Sequence, residues 1–118
     1  MEGAHLFVFV IPNDGIDKAA FIDGLNQYNQ SNYPDAGLKI EEKPLDDFRQ
    51  IVAISGLTSK EDAMKYFSQL VQDRDIYAPL GNAVYRNFLI SAENFNVFLT
   101  EKNIVDYMNF YKRIYLNN

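Results

Sequence analysis

Between residues 5 and 12 the chain reads His-Leu-Phe-Val-Phe-Val-Ile-Pro. A strand sends alternate side chains to opposite faces. Leu6, Val8 and Val10 therefore point one way, and Phe7, Phe9 and Ile11 point the other. Both sets are apolar, which is the pattern of a central strand with cover on both faces, not of an edge. Whatever else the chain forms must supply one layer above this strand and another below it.

The following elements are read in order. The Pro12-Asn13-Asp14-Gly15 cluster ends the first strand, and Asp14 or Asp17 can cap a helix. Phe21, Ile22, Leu25 and Tyr28 recur at helical spacing, and Gly24 among them suggests close packing on the sheet. That helix should stop near Asn32, before Pro34 and Gly37. Residues 38–43 read as a polar edge strand whose Lys and Glu discourage stray pairing. After the Pro44–Asp47 turn, residues 48–54 read as a more apolar, interior strand, with Ser55-Gly56 as its end. Ser59 caps a second helix with the stripe Ala63, Met64, Phe67, Leu70 and Val71, which Asp73, Asp75, Pro79 and Gly81 break. Residues 84–90 form a fourth strand. Ser91 then caps a short helix through Phe95, Phe98 and Leu99, and a last helix follows Asn103 with the stripe Ile104, Tyr107, Met108, Tyr111, Ile114 and Tyr115.

This order predicts an α+β fold: a ferredoxin-like βαββαβ antiparallel sheet with an added C-terminal helical segment from about residue 92. The first and third strands are then central. Two helices cover one sheet face. The last helix is expected to fold over the other, above Phe7 and Phe9; a second subunit there, giving a homodimer, is the alternative. Residues 1–118 make one domain. The chain reads as a piece excised from a longer one, because it opens directly into a strand and stops just after a helix.

Composition removes several function classes. The net charge is −5, and among the positive residues only Lys112 and Arg113 are adjacent. A basic stripe for phosphate contacts is missing, which excludes nucleic acid and anionic membrane surfaces as partners. The third strand also lacks the aromatic pattern by which an RNA-recognition sheet stacks bases. With no cysteine there are no disulfides, thiolate nucleophiles or Cys-held metals. No apolar run reaches the length of a membrane span.

The chemistry-bearing residues are sparse. His5 is the sole histidine, and without an acid or nucleophile constellation it reads as structural. The pairs Glu41-Glu42, Asp46-Asp47, Glu61-Asp62 and Asp73/Asp75 fall in turns, on a polar strand or in a helix's first turn, and none has calcium-loop spacing. Glycine motifs that cradle phosphate and nucleophile elbows are absent from the sequence. No enzyme activity, cofactor or metal is therefore expected. The candidate partner surface is aromatic: Phe7 and Phe9 on the first strand, and Tyr107, Tyr111 and Tyr115 on the last helix. Packing is the favoured reading of each: Phe7 and Phe9 as core under the last helix, and the tyrosines as that helix's single, regular packing stripe.

Two stretches carry a resemblance. One is Phe88-Leu89-Ile90-Ser91-Ala92-Glu93-Asn94-Phe95 with Phe98, Lys102-Asn103-Ile104, Tyr107 and Phe110-Tyr111; the other is His5 to Pro12 with Asn13. Together they resemble the C-terminal domain of large tetratricopeptide-repeat lipoproteins of Bacteroidetes, the SprE/PorW-like family of gliding motility and type IX secretion. The resemblance implies a non-enzymatic protein–protein interaction or scaffold module of an envelope complex. It also implies a periplasmic setting, associated with the outer membrane through the full-length protein and not through insertion of this fragment. Residues 48–54 followed by Ser59-Lys60-Glu61-Asp62-Ala63 look like the second half of a SPOR domain. That second resemblance implies peptidoglycan as an alternative partner. A small dimeric enzyme or ligand sensor on the same plan is the third reading.

Overall fold

The computed structural model describes residues 2–101 together with Met108. Strand β1 spans Glu2–Pro12, helix α1 Lys18–Asn32, strand β2 Lys39–Pro44 and strand β3 Arg49–Ser59. Helix α2 follows at Lys60–Leu70, then a short helix α3 at Arg74–Tyr77 with a 3₁₀ turn at Ala78–Leu80, strand β4 at Arg86–Ser91 and helix α4 at Ala92–Glu101. The four strands form one antiparallel sheet in the order β2-β3-β1-β4. This is the ferredoxin-like α+β plan with a helical addition at its C-terminal side, and β1 and β3 are central as their apolarity requires.

Register assigns the two faces. Phe7 lies opposite Ile54 and Leu89, and Phe9 opposite Val52 and Asn87. This face lies under α1, α2 and α3. The Phe9 ring meets Phe21 of α1 edge-on at 5.0 Å, and Phe7 meets Tyr66 and Phe67 of α2 at 5.9 and 5.3 Å. The opposite face carries Leu6, Val8 and Val10 with Ile51, Ala53, Phe88 and Ile90. There α4 supplies Phe95 and Phe98, and Phe98 meets Phe88 edge-on at 5.4 Å. Helix α4 thus lies over the second sheet face; the last helix, expected there from Asn103 onward, falls outside the described residues. The residues on this face differ from those expected: Phe7 and Phe9 belong to the α1/α2 side, and Phe88 is the aromatic under α4.

Two serines direct the chain to the two faces. Ser59 ends β3 and at once caps α2, its hydroxyl accepting from the Asp62 N–H at 3.1 Å. Ser91 ends β4 and accepts from the Asn94 N–H at 3.1 Å. Both sit at the β1 start end of the sheet, so no loop is needed before either helix turns back along its face. Asp17 does the same for α1, accepting from Ala20 N–H at 3.1 Å.

Four local expectations are corrected. Ser55-Gly56 does not end β3. The strand continues through a bulge, one extra residue between Ile54 and Leu57, where Gly56 adopts φ +106°. Phe48 is not an interior strand residue; it lies before β3 in the turn and is 79% exposed. The segment after α2 is not a plain breaker loop, because Asp73 caps α3 by accepting from Asp75 N–H and Ile76 and Leu80 are buried. Gly24 answers to this helix and not to the sheet: a Cβ there would lie 4.0 Å from the Ile76 Cα.

Candidate binding surface

The sequence-derived candidates do not form a surface among the described residues. Phe7 and Phe9 have no exposed area and stack on each other at 4.8 Å inside the core, so neither is available to a partner. Packing of the helices on their face outweighs any exposure. Tyr107, Tyr111 and Tyr115 lie outside the described residues. His5 is buried and structural in setting, its Nδ1 2.9 Å from the Gly3 carbonyl oxygen.

The acidic pairs are dispersed into local roles. Glu42 pairs with Lys18 of α1 at 2.5 Å, Asp62 accepts from the Thr58 hydroxyl at 2.6 Å, and Asp73 caps α3. Among the described residues no three of His, Cys, Asp or Glu come together as a metal site. The strongest perturbations of acidity are also structural. Burial pushes the Tyr66 and Tyr77 phenols well up, opposed in part by hydrogen bonds with Asn29 and Asn87.

What the structure does expose is the β2–β3 turn. Asp46 organises it. One carboxylate oxygen accepts from the N–H groups of Phe48 and Arg49 at 2.9 and 2.8 Å, and the other takes a two-pronged contact from Arg49, at 3.0 and 2.6 Å. The Arg49 bonds, then the backbone donation from Phe48, hold this carboxyl down at about 2. From the neighbouring turn, Asn13 donates its N–H to the Phe48 carbonyl at 2.8 Å and its side-chain amide to the Asp47 carbonyl at 3.1 Å. The turn is thus held both by its own carboxylate and by the neighbouring turn. At its tip stands Phe48, an apolar ring in water, with the exposed acids Asp14 and Asp47 in the same pair of turns.

The second feature is a hollow of about 480 Å³ lined by Val71, Arg74, Tyr77, Ala78, Tyr85 and Asn87. It lies where the end of α2 and α3 meet the start of β4. Tyr77 and Tyr85 form its aromatic wall, with ring centroids 5.6 Å apart at 30°. Asn87 donates its amide to the Tyr77 hydroxyl at 2.9 Å and fixes that ring. Arg74 is exposed at the rim, and Arg86 is exposed beside Tyr85, whose carbonyl it contacts at 3.2 Å. A second hollow, about 570 Å³, runs along α1 beside Asp23, Tyr28, Asp73 and Asp75 and is more polar in lining.

The sheet itself offers no platform at its centre, since Val8, Val10, Ile51 and Ala53 on one face and Phe7, Phe9, Val52 and Ile54 on the other are all buried. Glycan recognition in the SPOR manner would be left with the hollows. Sequence reasoning missed Phe48 because an apolar residue next to an apolar run reads as strand. The signal was the Asp46 to Arg49 spacing, which suits a charged turn better than a strand start. It missed the Tyr77/Tyr85 wall because only the fold brings these residues together. Compared with protein-family models, with curated proteins and with solved structures, the chain matches none.

Proposed function

We propose that this domain is a non-enzymatic protein-interaction module. Following the resemblance of its opening strand and C-terminal run to the tetratricopeptide-repeat lipoproteins, we place it in an envelope assembly that faces the periplasm. The observation that carries the interaction reading is Phe48, 79% exposed on a turn held by the Asp46 and Asn13 bonds. An aromatic anchor on a rigid support loses little conformational freedom on binding, which is how a small contact gains affinity. A free phenylalanine on a loop of no consequence would have no need of such bracing.

The test is site-specific cross-linking. A photoreactive phenylalanine analogue at position 48, and for comparison at exposed Thr100, is irradiated with an envelope extract of the native host. Discrete protein adducts at 48 and none at Thr100 are expected. Equal, diffuse labelling from both sites would overturn the reading.

A further inference from the structure

Helix α1 carries a glycine that neither its conformation nor its packing requires. Gly24 stands in the middle of the helix, where glycine is less favourable than alanine. It is not among the glycines with positive φ. A Cβ at that position would find the Ile76 Cα at 4.0 Å, an ordinary contact, and nothing closer. What the missing methyl does leave is space. Gly24 lines the hollow of about 570 Å³ between α1 and α3.

The hollow is a groove. Helix α1 presents one stripe to it, from Ala20 and Asp23 through Gly24 and Gln27 to Ser31 and Asn32. At 1.5 Å per residue that stripe is about 18 Å long. A hollow of about 410 Å³ continues it, sharing Tyr28, Asp73 and Asp75 and adding Gln69 and Gln72. Three amides along this path are each fixed at one end and unused at the other among the described residues. Asn32 donates to the Tyr28 carbonyl at 3.0 Å and Gln72 to the Ser68 carbonyl at 2.9 Å, so each keeps its oxygen. Gln69 accepts from the Tyr33 hydroxyl at 2.6 Å and keeps its NH2. The side chains of Asp23, Gln27 and Ser31 make no hydrogen bond or ion pair with a described residue.

The lining selects the ligand. An apolar molecule would find only Ala20, Gly24 and Ile76. An anion would face Asp23, Asp73 and Asp75 with Arg74 as the single cation. The acids do not converge on one point either, since no three metal-ligating side chains come together among the described residues. What fits is a chain of uncharged hydroxyls. A carboxylate accepts from hydroxyls, and an amide both donates and accepts. The half-buried Tyr28 ring lies among these groups as an apolar face for the C–H side of a sugar. We propose that this groove is a saccharide site, taking an uncharged oligosaccharide along α1 with one sugar ring seated over Gly24.

Titration of the purified chain with maltotetraose, cellotetraose and chitotetraose, followed through its backbone amide resonances, tests this. At least one of the three is expected to shift Asp23, Gln27 and Tyr28 saturably at millimolar concentration. The affinity should not change with added salt, because no charge is paired. Asp23→Ala and Gln27→Ala should each weaken binding about fivefold, the loss of one hydrogen bond. Gly24→Ala gives the sharper result. It should melt at a higher temperature, since alanine suits the helix better, which also shows it to be folded. It should bind at least about tenfold more weakly, since its methyl stands where the ring lies. No shift with any of the three sugars, shifts confined to residues away from α1 and α3, or a Gly24→Ala variant that binds as well as the parent would each overturn the proposal. Saturable, salt-sensitive binding of tetralysine to the same residues in place of the sugars would also overturn it, and would make the groove a site for basic peptide. Phe48 lines neither hollow, so none of these outcomes bears on the interaction reading.

Discussion

Tyr66 carries a hydroxyl into a place where water does not follow. It is fully buried, and its hydroxyl donates to the Asn29 side-chain oxygen at 2.5 Å, a buried pair that ties α2 to α1. Tyr28 and Tyr33 pack around the ring at 5.7 and 5.4 Å, and Tyr33 donates to Gln69 at 2.6 Å on the outside of the same seam. Tyr66→Phe should therefore cost about 1–3 kcal/mol, since it leaves the Asn29 oxygen buried without its donor. Tyr66→Ala should cost more, about 3–5 kcal/mol, because a cavity is added; urea unfolding of the two variants checks the order. The same burial sets the alkaline limit. Tyr66 and Tyr77 hold their protons in the folded state above the value near 10 at which an unfolded chain releases them. The unfolded state then binds fewer protons, so stability falls as pH rises past about 10. In an ultraviolet titration the last tyrosines should ionise only as near-ultraviolet dichroism collapses; complete ionisation with the dichroism intact would contradict their placement. Asp46 works in the opposite sense. Its folded value of about 2 lies below the unfolded one, so its stabilisation is complete above about pH 4 and is lost as pH falls toward 2. Asp46→Asn should remove that part of the acid sensitivity of the melting temperature. Gly56, at φ +106° with a Cβ position 3.1 Å from the Gly37 carbonyl oxygen, is the residue where alanine costs most for least added volume, about 1–3 kcal/mol.

At the scale of elements, α4 is the addition that lets β1 be apolar on both sides. Phe95 and Phe98 are buried against the sheet at 5% and 4% exposure, so α4 is part of the core and not an appendage. Phe98→Ala is expected to cost about 3–5 kcal/mol and Ser91→Ala about 0.5–2 kcal/mol, by chemical denaturation; a negligible loss in both would mean that α4 does not stabilise the sheet. The existence of this cover was legible in the sequence, because two apolar faces on β1 demand two layers and only the C-terminal region was left to supply the second. The side that each aromatic takes was not, because periodicity fixes which residues share a face but not which helix lies over it. In α2 the expected stripe was rotated. Ala63, Tyr66 and Leu70 are the buried positions, while Val71 is 38% exposed at the hollow. Both stripes satisfy helical spacing, and only the direction of the helix across the sheet chooses between them. Helix α3 escaped detection because four residues carry too little periodicity, and its buried Ile76, with Leu80 of the 3₁₀ turn after it, sits among Asp, Pro and Gly. The caps Ser59 and Ser91 were readable, and Asp17 as one of two candidates, since each acts within three residues of itself, whereas Asp73 read as a breaker and not as the cap of α3. The binding surface was not, since Phe48, Tyr77 and Tyr85 come from separate segments and meet only in the fold.

For the molecule as a whole, the question is whether the two layers unfold together. One continuous cluster contains Phe21 and Leu25 of α1, Tyr66 and Leu70 of α2, and Phe95 and Phe98 of α4, joined through Phe7, Val8, Phe9 and Val10 of β1. β1 is also hydrogen-bonded on both sides, to β3 and to β4. Losing either layer would expose one face of a strand that has no polar face, so neither layer can leave without the other losing its support. Unfolding in urea should then follow a single transition, with far-ultraviolet dichroism and tyrosine fluorescence coincident. Its slope should lie at about 1–3 kcal/mol per molar, as for small two-state domains. Amide exchange gives the spatial check. Val8, Phe9 and Val10 should exchange only through global unfolding, whereas β2, polar and at the sheet margin, should open locally and faster. An early transition confined to α4, with β1 amides gaining exchange before the rest of the sheet, would instead make the second layer a separable cover. The apolarity of both β1 faces would then be understood as a docking surface that α4 normally occupies.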